Sequence, residues 1–463
     1  MPKEKISIKI YLAIIAAGVM SFCGILIETA MNITFPTVMK EFQVSTDIVQ
    51  WLTTAYLLVI ATIVPISSFL KRKFSNKILF IVANLLFIVG TTLAIFAPSF
   101  IFLLVGRIIQ GIGTGISLPL MFNIILEQAP REKLGSMMGL GSLITAIAPA
   151  LGPTFGGVLL TTLGWRYIFI FILPILIISL IIGISTISSQ HVSENVRFDV
   201  LSFLFIGLTF FGLIYGISNI SKVDLVSPSV LGSLIIGLAS LTCFVVRSKG
   251  LKNPLLDLSV FKSSSFTHHA LNAFLFLVCM LGISFLIPNY IQIVNRESAF
   301  TAGLLVLPGA SLGAILSPVA GKVLDKVGSF KPLCGGTIVA IIGMLGFSLL
   351  GRSLNLIQIV LLFVIYFAGL SFVMGNTMTT GLKGLSQKQV PSGNAIFNTI
   401  QQFAGAVGTS VVSTIVSAAQ GNSTGTSYIT RTAFGSQYSF FFLLFLLLIC
   451  LLSLFSLKFR KEI

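Results

Sequence analysis

The sequence predicts an all-α integral membrane protein that crosses the bilayer fourteen times. Three observations predict it: the composition, the recurrence of long apolar runs, and the way basic residues divide between loops. Of 463 residues, 55% are hydrophobic and 9% charged, against about 25% charged in a soluble globular domain. So few charges cannot clothe a surface for water, which makes lipid the main solvent. A run of about 20 apolar residues crosses the hydrocarbon core, and such runs recur along the whole chain with short polar gaps. That recurrence excludes a single anchor helix on a soluble body.

Broken at charges, prolines and glycine clusters, the runs place the first six spans at about 8–29, 47–70, 77–97, 101–126, 135–160 and 166–187. The next four fall at about 199–219, 229–247, 268–294 and 301–321, and the last four at about 332–350, 355–380, 395–420 and 439–457. The first run follows Lys3, Lys5 and Lys9 in the manner of a secretory signal. No small-residue cleavage pattern follows it, and it continues through Ile27 to Glu28 and Asn32, so it reads as a span that stays.

The basic residues test this count, because a missed or invented span would scramble their alternation between the two sides. With the N-terminus inside, the inside segments hold most of the 29 Lys and Arg. These include Lys71, Arg72 and Lys73, then Arg247, Lys249 and Lys262, then Lys322, Lys326 and Lys331. The outside segments hold only Lys40, Arg166, Lys222, Arg296, Arg352 and Arg431. Both termini are therefore expected in the cytoplasm, and the net charge of +16 reflects topology and not a polyanion site. Nucleic-acid binding would need basic residues clustered on a soluble face. The five cysteines, Cys23, Cys243, Cys279, Cys334 and Cys450, lie in apolar runs without metal-ligand spacing and read as packing thiols. No phosphate-cradling Gly-x-x-x-x-Gly-Lys-Ser/Thr run is present, and no cofactor is expected.

One half of the chain echoes the other. Between spans ten and eleven the chain reads Gly321-Lys322-Val323-Leu324-Asp325-Lys326-Val327-Gly328, three residues after Pro318. The matching place between spans two and three reads Ser68-Phe69-Leu70-Lys71-Arg72-Lys73-Phe74-Ser75, three residues after Pro65. The first of these resembles the Gly-x-x-x-Asp-Lys/Arg-x-Gly loop of the major facilitator superfamily. The second departs from it at Ser68, Arg72 and Ser75, so a role for the acid does not transfer there.

Three further stretches resemble the superfamily's 14-span drug:proton antiporters, the EmrB/QacA type. Ile27-Glu28-Thr29-Ala30-Met31-Asn32-Ile33-Thr34-Phe35-Pro36 in span one is similar to that group's Leu-Asp-x-Thr-x-x-Asn-x-Ala-x-Pro signature, with Glu for Asp. Gly106-Arg107-Ile108-Ile109-Gln110-Gly111-Ile112-Gly113 in span four resembles the Arg-x-x-Gln-Gly-x-Gly motif. In span five, Gly152-Pro153-Thr154-Phe155-Gly156-Gly157 resembles the antiporter signature Gly-Pro-x-x-Gly-Gly. The resemblance implies a major facilitator fold of two six-helix bundles, with two additional helices where twelve-span members have a loop. The divisions would be 1–190 for the N-terminal bundle, 191–262 for the inserted helices and linkers, and 263–463 for the C-terminal bundle.

A charge inside a span costs a few kcal/mol, so it usually faces a cavity and works there. Glu28 and Arg107 are the two such charges, the other acids lying in loops or at helix ends. Glu28 is expected to load a proton when the cavity faces outward and to release it inward, with Arg107 and Gln110, one turn apart on one helix, sensing its charge. The competing reading is a fixed Glu28–Arg107 ion pair that holds helices together. Gly152, Pro153, Gly156 and Gly157 permit a kink and close helix approach; their bias toward antiport is what the resemblance implies. Gly321, Asp325, Lys326 and Gly328 would latch one conformation by bonding to neighbouring helix ends.

Candidates for a substrate cavity are Asn32, Trp51, Tyr56, Asn123, Asn272, Tyr290, Gln292, Asn376, Asn398 and Gln401, which the sequence offers without choosing among them. With a single intramembrane acid, a lipophilic neutral or monovalent cationic substrate fits better than a dication. His268 and His269 at the start of span nine read as interfacial. The expectation is a monomeric, multi-pass cell-membrane exporter of lipophilic drugs or toxic compounds in exchange for protons. The alternative is proton-coupled export of one physiological lipid, peptide or metabolite. An enzyme acting on lipid would need clustered His and acids, and three His without such a cluster argue against it.

Overall fold

The computed structural model describes residues 8–44, 46–49, 51–130, 133–189, 198–219, 227–251, 254–421 and 425–459. The N-terminal bundle comprises α1 (Ile8–Phe42), the short α2 (Thr46–Val49), α3 (Trp51–Lys73), α4 (Asn76–Ile95), α5 (Phe100–Gln128), α6 (Leu134–Thr162) and α7 (Arg166–Thr186). The inserted pair is α8 (Val200–Asn219) and α9 (Pro228–Gly250), followed by a 3-10 turn at Leu258–Lys262. The C-terminal bundle comprises α10 (Ser264–Ile293), α11 (Ala299–Val327), α12 (Phe330–Leu350), α13 (Leu356–Ser371), α14 (Met374–Lys383), α15 (Val390–Gln420) and α16 (Gly425–Phe459). Among the described residues, thirteen spans are long and apolar enough to cross a membrane, α13 and α14 together making one of them, and the bent α6 is the fourteenth. The even number places the start of α1 and the end of α16 on one face, called here the terminal face.

The helices begin where a side chain can satisfy a free backbone N–H. Ser75 caps α4, Ser227 caps α9 ahead of Pro228, Ser263 caps α10, and Asn355 with Gln358 forms a reciprocal capping box on α13. Several helices outrun the lengths their hydropathy predicts. α1 continues past residue 29 to Phe42, where Glu41 pairs with Arg166 at 2.6 Å and accepts from Trp165 Nε1 at 2.7 Å. α15 starts at Val390 and α16 at Gly425, ahead of the predicted 395 and 439. Apolar content reports where lipid ends, whereas a helix persists into water as long as its polar turns find partners. α6 bends by 42° between Pro149 and Thr154, where two prolines lack the N–H that would continue the ladder.

Glycines set how closely the helices approach. A methyl group on Gly90 would meet the Gly106 carbonyl oxygen at 2.6 Å, and one on Gly113 the Ala83 carbonyl oxygen at 2.6 Å, which fixes α4 against α5. The α8–α9 hairpin is closed by the same means at Gly212 and Gly237, whose backbones would collide with any side chain. The hairpin lies along α3 and α15, one helix from each bundle. At its terminal-face end Asp199 takes a bidentate Arg247 guanidinium, both bonds 2.8 Å.

Candidate transport site

Arg107 is completely buried, roughly 10 Å of helix beyond the start of α5 and nearer the face opposite the termini. Its guanidinium stacks over the Tyr56 ring at 3.9 Å, Nε donates to the Leu52 carbonyl at 3.3 Å, and Nη1 donates to Gln110 Oε1 at 2.9 Å. Gln110 Nε2 in turn donates to Thr91 Oγ1 at 2.9 Å. The second terminal nitrogen, Nη2, is buried with no hydrogen-bond partner among the described residues. Tyr56 Oη donates to the Gly24 carbonyl at 2.9 Å and meets Thr114 Oγ1 at 2.8 Å, tying α1, α3 and α5 around the arginine.

Glu28 stands one turn along α1 from Gly24 and is half-buried. Among the described residues it makes no hydrogen bond and no direct ion pair, although its charge and that of Arg107 act on each other. In this conformation, then, the two charges are neighbours and not a contact pair. Gly152 and Gly156 of α6 pack on the turn of α1 that carries Glu28. A Cβ at Gly152 would overlap the Thr29 hydroxyl and reach the Leu26 carbonyl oxygen at 3.0 Å; one at Gly156 would meet the Ala30 carbonyl oxygen at 2.8 Å. Gly157 has nothing within 4 Å. The side chains of Pro153 and Asn32 lie outside the described residues.

Between the bundles lies a cavity of about 100 Å³. The N-terminal bundle contributes Phe122, Ser142 and Thr145, and the C-terminal bundle contributes most of the rest, including Met280, Ser317, Phe367, Met374, Met378, Phe397, Asn398 and Gln401. Its wall is apolar and soft, with thioethers and rings that can adapt in shape, and a few uncharged polar groups.

Below the cavity, toward the terminal face, two seams join the bundles. In the first, Asp325 on α11 accepts from the first backbone N–H groups of α6, Gly135 at 3.0 Å and Ser136 at 3.1 Å. Those amides have no intrahelical acceptor, and the helix dipole there favours a carboxylate. Gly321 makes this approach possible, since a Cβ there would overlap the Gly135 carbonyl. Gly328 ends α11 at φ +80°, which favours glycine, and Lys326 points to solvent. In the second seam, Ser68 Oγ bonds Ser392 Oγ at 2.7 Å, and Asn394 Nδ2 donates to Asn123 Oδ1 at 2.7 Å and to the Pro119 carbonyl at 2.8 Å. Asn398 Nδ2 continues this chain to Asn394 Oδ1 at 2.8 Å.

Of the ten cavity candidates, Asn398 and Gln401 line the cavity and Asn123 belongs to the seam beneath it. Tyr56 supports Arg107. Asn376 clamps α14 to the Ala320 carbonyl of α11 at 3.2 Å, and Tyr290 accepts from the Leu354 amide at 3.1 Å. Trp51 and Gln292 are exposed, and Asn272 is buried with neither amide atom bonded among the described residues. His269 is likewise fully buried, with both ring nitrogens lacking a partner, and not interfacial as its position predicts. The helix simply starts earlier, at Ser264, and turns that residue toward its neighbours. Asn394 and the methionines escaped sequence reasoning. The i, i+4 pair Asn394/Asn398 was a readable signal for the first, whereas nothing in the sequence separates the cavity methionines from packing ones.

Comparison with known proteins agrees with this architecture. The Major Facilitator Superfamily profile matches residues 17–409. The lincomycin resistance protein LmrB of Listeria monocytogenes is 38% identical over 408 residues, covering 88% of this chain and 87% of LmrB. The multidrug resistance protein B homolog of Mycobacterium tuberculosis is 26% identical, covering 84% and 73% respectively. Among solved structures, the human organic anion transporter MFSD10 superposes with a TM-score of 0.64 at 12% identity, covering 95% of this chain and 99% of that one, a likeness of fold. Fourteen spans in two bundles, the loop and helix motifs in their structural places, and these relatives together establish that the chain is a membrane transporter belonging to the Major Facilitator Superfamily.

Proposed function

We propose that this protein is a monomeric proton-coupled antiporter of the cell membrane that exports lipophilic, neutral or monovalent cationic compounds by alternating access. Both termini are then cytoplasmic, the terminal-face seams close the inner side, and the cavity belongs to an outward-facing or occluded state. The observation that carries the reading is Glu28: an acid in a span, without a bonded partner among the described residues, beside a buried arginine with one nitrogen unbonded among those same residues. The antiporter-signature glycines press on that same turn of α1. Curated relatives named for lincomycin and multidrug resistance support a toxic and varied cargo.

In the proposed cycle a proton from outside neutralises Glu28, removing its attraction to Arg107 and freeing α1 to shift against α5. Release of the proton inward restores the attraction, which in a low-dielectric interior is far stronger than in water. Gln110 and Tyr56 hold the guanidinium in place through the change. Substrate occupies the methionine- and phenylalanine-walled cavity, and the seams at Asp325 and Ser68–Ser392 open and close on the cytoplasmic side. One proton moving through 100 mV supplies about 2.3 kcal/mol, enough to support a useful gradient.

Inside-out vesicles with an acidic interior test this directly. Lincomycin or a fluorescent lipophilic cation added outside should discharge the pH gradient with the wild type and not with Glu28→Gln at matched expression. Equal discharge by both would remove Glu28 from coupling; no response to a chemically diverse panel would favour a single physiological substrate.

A further inference from the structure

On the terminal face, where α9 runs into the linker toward α10, a basic pocket opens onto an apolar crevice. The pocket has a volume of about 1010 Å³ and is lined by Arg72, Lys249, Lys262 and Lys388, from the ends of α3 and α9, the 3-10 turn, and the approach to α15. The three lysines are exposed, and none has a salt-bridge partner among the described residues. Arg72 is positioned by donation to the Pro254 carbonyl. One acid, Asp257, shares the lining, and its carboxylate is engaged in capping the 3-10 turn through the Ser259 amide at 2.9 Å. The remaining polar frame is internally satisfied, with Gln389 donating to Ser259 Oγ at 2.8 Å and the Asp257 amide donating to Ser392 Oγ at 3.2 Å.

The adjoining crevice has a volume of about 440 Å³ and a nearly wholly apolar wall that includes Phe210, Leu241, Phe244, Ile396 and Ile400. It shares Lys249, Leu258 and Phe261 with the pocket, so the two adjoin across these side chains. It runs between the α8–α9 hairpin and the α3–α15 seam, walled largely by residues of the span helices.

We propose that this pocket and crevice together form a binding site for one anionic phospholipid, its phosphodiester headgroup among Arg72, Lys249, Lys262 and Lys388 and an acyl chain along Phe210, Leu241 and Phe244. The charge selects an anion, and the crevice selects one that carries a hydrocarbon chain. A zwitterionic lipid brings a cation into a pocket that already holds four, and a soluble phosphate leaves the crevice empty. The site has a conformational consequence. Arg72 comes from the N-terminal bundle and Lys388 from the C-terminal bundle, so the pocket is complete only while the bundles meet at the terminal face, and a lipid bound there favours that state.

The test uses the full chain purified in detergent, titrated with phosphatidylglycerol or with phosphatidylcholine of the same acyl chains, and bound lipid counted by native mass spectrometry. Each basic residue near an anionic lipid contributes roughly fivefold in affinity. Lys249→Gln/Lys262→Gln/Lys388→Gln should therefore weaken phosphatidylglycerol on the order of a hundredfold and leave phosphatidylcholine unchanged. Leu241→Trp, which fills the crevice and keeps every charge, should weaken phosphatidylglycerol severalfold. Should the triple variant not fold, Lys388→Gln alone still predicts about fivefold. Glycerol phosphate in large excess should not displace the lipid. Equal binding of the two lipids, an unchanged affinity in the lysine variants, or full displacement by glycerol phosphate would each overturn the assignment. None of these readouts depends on transport, so the result stands apart from the proton-coupling proposal.

Discussion

Replacing Asp325 by Asn should loosen the closure of the terminal face without touching the cavity or Glu28. The aspartate accepts two backbone N–H bonds from the free amides of α6, each worth about 1.5 kcal/mol at the low end for a charged acceptor. The helix dipole adds about 0.5 kcal/mol for the charge. Asparagine is the same size but retains one neutral acceptor worth about 1 kcal/mol, so the net loss is about 2 to 3 kcal/mol. At 1.4 kcal/mol per decade, the closed-to-open ratio falls roughly 30- to 150-fold. The readout is placed on the other seam, where Ser68 and Ser392 touch through their hydroxyls. A Ser68→Cys/Ser392→Cys pair in a background with the exposed Cys243 replaced by Ser should cross-link rapidly under mild oxidation. Adding Asp325→Asn should slow the initial rate, by roughly tenfold or more under conditions where the parent populates closed and open states about equally, because the two bundles part as bodies and both seams open together. An unchanged rate would mean that the α6–α11 latch does not govern closure, and the reasoning from capping energy would be wrong.

Two further results follow from the geometry. Gly152→Ala forces a methyl group into the Thr29 hydroxyl and against the α1 backbone, and should lower stability in detergent by about 1–3 kcal/mol, the usual cost of overpacking, and abolish transport. Gly157→Ala, with open space around it, should change melting and transport little; equal effects of the two would show that helix spacing at the Glu28 turn is not critical. The Arg247 guanidinium on Asp199 holds that carboxyl down at about 2, from the usual 3.8. A depressed carboxyl contributes stability that is fully present above its unfolded value and is lost as pH falls through the folded one. Asp199→Asn should therefore melt lower than wild type at pH 7 and at pH 5, with the difference shrinking between about pH 4 and 2. A difference that stays constant down to pH 2 would assign the loss to something other than the ion pair.

The span count and the two bundles with an inserted pair were readable before any coordinates, as was the placing of Glu28, Arg107 and Gln110 inside spans. Each rests on a local cost that the bilayer imposes on the chain. Backbone and charge must be hidden from hydrocarbon segment by segment, so apolar runs, loop lysines and the rare intramembrane charges announce themselves in the linear order. The i, i+3 spacing put Arg107 and Gln110 on one face of their helix, and the structure adds the hydrogen bond between them.

Only the tertiary structure decided which polar residues face the cavity, which merely brace a neighbour, and which faces of the helices meet. Asn398 lines the cavity while Asn376 fastens α14 to α11, and the two differ in nothing that a sequence displays. In lipid an apolar side chain is equally content against acyl chains, another helix or a cavity, so hydropathy carries no information about which way it points. The same holds for the Ser68–Ser392 contact and for the basic pocket shared by Arg72 and Lys388, which join residues more than three hundred positions apart in sequence. Their pairing is set by how the two bundles meet, a long-range steric fit that no local pattern encodes.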